Sequence, residues 1–98
     1  MDFEQMMAQA KSLQEKIAAA QEALANMHVK GIADNGMVIV DMTGKYDLVS
    51  VKIDESAMSV GAQKLSEMVT AAYTDAKNKA DLLIDKTMSA ITNGVSEQ

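Results

Sequence analysis

The chain has 98 residues, which suits a single domain (residues 1–98) whose core is marginal on its own. Its aromatic residues are Phe3, Tyr46 and Tyr73, so burial must come from small aliphatic and Met side chains, and zero Cys excludes disulfides, Cys-ligated zinc and thiol chemistry. The net charge is −5, doubled to −10 in a homodimer, and all nine positive charges are Lys, which opposes a reader of guanine edges because no Arg fork is available.

The N-terminal MDFEQ is acidic and polar, without the apolar core of a signal peptide, and no apolar run nears the roughly 20 residues of a membrane span. A soluble cytoplasmic protein with no membrane partner is expected. From residue 2 to 27, Phe3, Met6, Ala10, Leu13, Ile17, Ala20, Leu24 and Met27 are spaced 3-4-3-4-3-4-3, an a/d heptad seam. Asp2 followed by Gln5 resembles a capping box and marks the start of this helix. At about 1.5 Å per residue the helix outreaches any sheet of seven-residue strands, so part of it projects and its seam meets another helix, within the chain or between chains.

His28–Ala33 reads as a short strand, weakened or bulged at Gly31. Asp34-Asn35-Gly36 signals a tight hairpin turn. Two β-rich runs follow, Met37–Thr43 and Asp47–Asp54, around a turn at Gly44-Lys45-Tyr46, which gives a three-stranded antiparallel meander. In the last run Val49, Val51 and Ile53 share one face while Ser50, Lys52 and Asp54 take the wet one. In the middle run Val38, Val40 and Met42 face one way, but Met37 and Ile39 make the other face apolar as well. Both faces want cover, and a partner chain is the simplest supplier. Glu55–Met58 suits one helical turn, and Ser59-Val60-Gly61 breaks it. Ala62 to about Thr92 is a second long helix, with Leu65, Val69, Ala72, Ala76, Ala80, Leu83, Thr87 and Ile91 on one face. Asn93-Gly94 is its expected stop, with residues 95–98 frayed beyond it.

The fold class is therefore α+β, ordered α-β-β-β-α. Lys64, Lys79 and Lys86 lie within about 60° of one another on the second helix, either as a stripe that tracks phosphates or as a solvated face with Asp75 paired to Lys79 at i,i+4. Lys77 points roughly opposite Lys79. On the first helix Lys16 sits beside the seam and Lys11 points outward. His28 has no Cys or second His to complete a metal site, and Tyr46 and Tyr73 are too isolated to stack bases. Met6, Met27 and Met42 have core or seam positions, which leaves Met7, Met58 and Met88 to cover a partner. There is no P-loop, no GxSxG and no paired carboxylates beside a base, so the chain reads as a non-enzyme without cofactor or metal.

Three stretches, in order, carry a family resemblance. They are MMAQAKSLQEKIAAAQEAL at residues 6–24, GMVIV…G…LVSVKID at 36–54, and LSEMVTAAYTDAKNKADLLIDKTMSAI at 65–91. Together they span nearly the whole chain and resemble the YbaB/EbfC family of bacterial nucleoid-associated proteins. The resemblance implies a homodimer whose sheets meet at the centre and whose long helices project as tweezer-like arms. It also implies binding to double-stranded DNA with little or no sequence preference. On that reading the DNA-binding candidates are Lys11, Lys16, Lys64, Lys77, Lys79 and Lys86, and the dimer-interface candidates are Met37, Ile39, Val49, Val51 and Ile53. Many relatives carry Arg in the final helix, and this chain has none. An acidic chain without Arg also suits an interaction scaffold or chaperone-like module whose arms hold a protein client.

Overall fold

A computed structural model describes the backbone of residues 2–96 and the side chains of residues 2–91. The elements run α1 (Phe3–Asn26), β1 (His28–Ala33), a 3₁₀ turn (Asp34–Gly36), β2 (Val38–Thr43), β3 (Leu48–Ile53), a second 3₁₀ turn (Glu55–Val60) and α2 (Ala62–Ser96). This is the expected α-β-β-β-α order. The three strands form one antiparallel sheet in the order β1-β2-β3. The molecule is a rod with principal extents of 68 × 19 × 16 Å, because α2's 35 residues, about 52 Å long, far outreach six-residue strands.

The core follows from three alternations that coincide. Val38, Val40 and Met42 of β2 are fully buried, and Ala33 of β1 joins them on the same sheet face. Over that face runs α2, whose Met68, Ala72, Ala76 and Ala80 are buried, with Leu65 and Val69 packed around them. Alanine every fourth residue leaves α2 a shallow groove, and Gly31 of β1 fits into it. A Cβ built on Gly31 would lie 2.5 Å from the Ala76 nitrogen and 2.7 Å from its Cβ, and closer still to the Ala72 carbonyl oxygen. Gly31 thus lets strand and helix backbones touch, and the bulge that the sequence allowed there does not form.

α1 starts where Asp2 accepts a hydrogen bond from the Glu4 N–H at 3.4 Å. It ends where the Gly44 N–H donates to the Leu24 and Met27 carbonyls, 3.0 Å to each, which fastens the helix to the β2–β3 turn. The heptad seam is covered along only part of its length. Leu24 is buried, Ala20, Ile17 and Leu13 are half-buried, and α1 packs against α2, on which Ile84, Thr87, Met88 and Ile91 are also half-buried. From Leu13 onward the seam is thus an intramolecular helix–helix contact forming one arm. Phe3, Met6 and Met7 are exposed, as is Met27; in place of Met6 and Met27, Met68 serves the core.

Three expectations change. Met37 lies in the turn, not in β2, because the Asp34-Asn35-Gly36 loop takes three successive positive-φ residues and Met37 closes it in helical geometry. A bulge at Asp41/Met42 brings Leu48 opposite Met42, and cross-strand pairing puts Val51 and Ile53 on the α2 side with Val40 and Val38. Finally, α2 runs through Asn93 and Gly94 to Ser96. A glycine costs a helix about 1 kcal/mol relative to Ala, which is not enough to end it without a competing cap. Residues 97 and 98 lie outside the described residues.

Candidate nucleic-acid interface

β1 is an edge strand, and an edge exposes unpaired N–H and C=O groups. Here α2 closes part of that edge with two side chains one turn apart. Asp75 accepts from the Ile32 N–H at 2.9 Å, and Lys79 donates to the Lys30 carbonyl at 2.7 Å. The two side chains also pair at 3.0 Å. The expected Asp75–Lys79 ion pair is therefore present, and it is one half of a clasp between helix and strand. Lys79 spends hydrogen-bonding capacity on this clasp while its side chain stays partly exposed.

Beyond the clasp, the β1 edge and α2 enclose an open groove of about 550 Å³. Val29, Ile32, Leu82 and Leu83 give it an apolar lining, and Lys30, Lys79 and Lys86 carry its charge. Two carboxylates stand close to these three ammonium groups: Asp75, paired with Lys79, and Asp41, across the strand pair from Lys30 and paired with His28. Lys30 was not among the sequence candidates. Strand alternation places it on the outer face of β1, but its nearness to Lys79 follows only from how α2 crosses the edge.

The acids of this part of α2 lie on the opposite flank. Asp81 accepts a hydrogen bond from the Tyr46 hydroxyl, and Asp85 sits near enough to act on the same phenol. Asp81, first through that bond and then through its charge, pushes the Tyr46 hydroxyl above its usual value of 10.0. Tyr46 holds positive φ at the turn, so this bond braces the β2–β3 turn against α2. Tyr73 is exposed.

The other candidate lysines are dispersed. Lys64 stands exposed 15 positions before Lys79, about 22 Å along the helix. Lys77 is exposed on the flank away from the groove, and Lys11 and Lys16 are exposed on α1. The structure therefore brings Lys79 and Lys86 together with Lys30, and leaves Lys64, Lys77, Lys11 and Lys16 as separate points. His28 pairs with Asp41 across the sheet at 2.7 Å. Among the described residues no group of three or more His, Cys, Asp and Glu side chains could hold a metal, and no helix is long and apolar enough to cross a membrane.

The five candidate interface residues do not share a surface. Val49, Val51 and Ile53 belong to β3, the opposite sheet edge. With Leu48 they are between 39 and 54 % exposed, because α2 packs mainly on β1 and β2. Ile39 is half-buried on the far sheet face between Ile32 and Lys52, so that face is mixed and not continuously apolar. Met37 packs against the core cluster.

Asp75 makes the clasp sensitive to acid. The Ile32 N–H, and after it Lys79, hold its carboxyl below the ordinary value of 3.8. A carboxyl depressed in the fold adds stability above its unfolded value, and this is lost as pH falls through the folded value. Melting curves from pH 6 down to about 2 should therefore show Asp75→Asn less stable than the parent at pH 6, with the gap closing below pH 3.8. A gap independent of pH would mean that the charge on Asp75 contributes nothing.

A short meander under one long helix, with a paired helical arm and a lysine-rimmed groove, defines a class of small α+β proteins with projecting arms. A crystal structure of an uncharacterized Helicobacter pylori protein shares this fold with a TM-score of 0.82 at 18% identity, covering 94% of this chain and 98% of that one. Residues 1–95 match the YbaB/EbfC DNA-binding family, and the chain belongs to it. A nucleoid-associated protein of Bradyrhizobium diazoefficiens is 40% identical over 96% of this chain and 90% of its own. One from Bradyrhizobium sp. ORS 278 is 41% identical (93% and 87%), and one from Rickettsia akari 36% (97% and 90%).

Proposed function

We propose that this protein binds double-stranded DNA in the nucleoid as a homodimer, through backbone phosphates and with little or no sequence preference. The observation that carries this is the lysine-rimmed groove on the long helix of a chain that belongs to a DNA-binding family. That membership also favours DNA over a protein client for the arms. Lys30 and Lys86 supply mobile point charges there, Lys79 a charge fixed by the clasp, and Lys64 a further contact along the same helix. Lys11, Lys16 and Lys77 engage if the duplex lies between arms. Lys offers no planar fork, so the contacts neutralise phosphate without reading bases.

The net charge of −5 does not forbid this. Exposed charges are largely screened beyond about 10 Å at 0.1 M salt, roughly the thickness of one helix. Of the nearer acids, Asp75 and Asp41 are already paired with Lys79 and His28, while Asp81 and Asp85 turn toward Tyr46 on the other side of α2.

Fluorescence anisotropy on a mixed-sequence duplex between about 50 and 200 mM salt tests the reading. The expected result is binding at micromolar or lower protein concentration that weakens steeply with salt. Flat anisotropy at low salt would sink it. Lys86→Ala should lower affinity equally for unrelated sequences and make the slope of log K against log salt shallower by about 0.9 for each phosphate that Lys86 neutralises. Lys79→Ala should lower both affinity and melting temperature, since it also opens the clasp. Unchanged binding in the Lys79→Ala/Lys86→Ala double variant would remove the groove from the mechanism.

A further inference from the structure

Among the described residues, two exposed apolar features complement each other. The first is the groove, apolar at Val29, Ile32 and Leu82 and basic at Lys30, Lys79 and Lys86. Leu82 is 66 % exposed there, an unusual placement for a leucine between two lysines of one helical stripe. The second is the first two turns of α1, where Phe3 is 72 % exposed and Met6 and Met7 more than half so, beside the exposed acids Asp2 and Glu4. These turns extend the seam that α2 covers only from Leu13 onward.

We propose that the Phe3–Met7 end of α1 in one molecule docks into the Lys30/Lys79/Lys86 groove of another, so that molecules link head to tail. Charge decides the pairing, since the tip is acidic and apolar where the groove is basic and apolar. Size agrees as well. Phe3 to Met7 is one helical turn, about 6 Å of axis, while Lys79 to Lys86 spans about 10.5 Å. A volume of about 550 Å³ lies within the range of about 300–1,000 Å³ that takes a compact apolar ligand. A molecule cannot fill its own groove. Leu24 fastens α1 to the sheet, and Phe3 lies 21 positions away, about 32 Å out along the helix. The groove, by contrast, sits against the β1 edge.

Tip and groove are different surfaces, so the contact is heterologous and does not close on itself unless the rotation happens to form a ring. It uses the β1 side of the sheet and leaves β3 free, which makes it compatible with a dimer built on β3. A small interface of this kind is weak and reversible. It also takes up lysines assigned above to phosphate, so an occupied groove is closed to DNA.

Sedimentation velocity of the full chain without DNA, from about 20 to 200 µM at low salt, tests this. The weight-average mass should rise continuously with concentration above that of the starting species, and the rise should vanish at about 0.5 M salt. The variant Asp2→Asn/Glu4→Lys keeps a capping side chain while removing the acidic tip, and it should stay at the starting species. Lys30→Glu/Lys86→Glu reverses the groove and should do the same. Mixing the two, or combining all four changes in one chain, should restore growth, and circular dichroism checks that each variant is folded. A wild-type protein of constant mass across the range overturns the docking and leaves the groove to phosphate alone. So does growth that persists in either single-surface variant, or failure of the mixture to restore it. None of these readouts involves DNA, so they stand or fall apart from the nucleoid reading.

Discussion

Gly31→Ala is expected to lower the melting temperature by roughly 15 °C. The added Cβ would fall inside the contact distance of the Ala72 carbonyl oxygen and lie 2.5 Å from the Ala76 nitrogen. These are backbone atoms of α2, and no side-chain rotamer can relieve them. The helix must lift off the sheet, which opens the packing of Ala72, Ala76 and Ala80 on Val38, Val40 and Met42. Overpacking of a core commonly costs about 1–3 kcal/mol, and a clash with main chain belongs at the upper end. For a domain of this length each kcal/mol is worth about 4–8 °C. Gly36→Ala is the control. Its Cβ meets nothing within 4 Å, but its φ of +92° is strained for any L side chain, so only a loss of about 1 kcal/mol is expected. Ala76→Gly in the Gly31→Ala background should recover part of the loss, because it removes the Cβ contact at 2.7 Å but not the carbonyl. Melting curves showing Gly31→Ala no worse than Gly36→Ala would mean that α2 does not press on β1 as described.

The parts of this architecture legible in the sequence are those governed by local periodicity. The 3-4 spacing of α1, the alanines of α2 and the alternation of Val38, Val40 and Met42 each fix one buried face, and the order of elements follows. What was not legible depends on pairings far apart in the chain. Asp75 and Lys79 meet β1 across 43 and 49 residues, so helix periodicity reveals their ion pair but not the clasp. Lys30 enters the groove for the same reason. The bulge moved Leu48 opposite Met42, where strict alternation could not place it. Asn93-Gly94 misled in the other direction. A stop signal acts only when the chain leaves the helix for something better, and here α2 simply continues to Ser96.

The other large effect concerns assembly. Val51→Glu is expected to leave the monomer folded and to weaken the proposed homodimer by about 100-fold or more, as a buried unpaired charge does at the centre of an interface. The two sheet edges are unequal. Asp75 and Lys79 occupy hydrogen-bonding groups of β1, while β3 carries Leu48, Val49, Val51 and Ile53 half-exposed. An apolar edge of this kind is where a second copy adds with most gain, by pairing strands or by laying its own sheet across them. Val51 sits opposite Val40 in the middle of that strand and is 39 % exposed, so a carboxylate there reaches water in the monomer and loses it in the dimer. Salt separates this contact from DNA binding by sign. Each chain carries −5, so screening should tighten the dimer as salt rises while the same change weakens phosphate contacts. Light scattering on wild type and Val51→Glu from about 50 to 500 mM salt reads the first effect, and anisotropy on a duplex reads the second. If the two arms of a dimer share the phosphates, the variant's slope of log K against log salt should fall to about half that of the wild type. A variant that stays dimeric would move the interface off β3. One that becomes monomeric yet keeps the full slope would show that a single arm carries all the phosphate contacts.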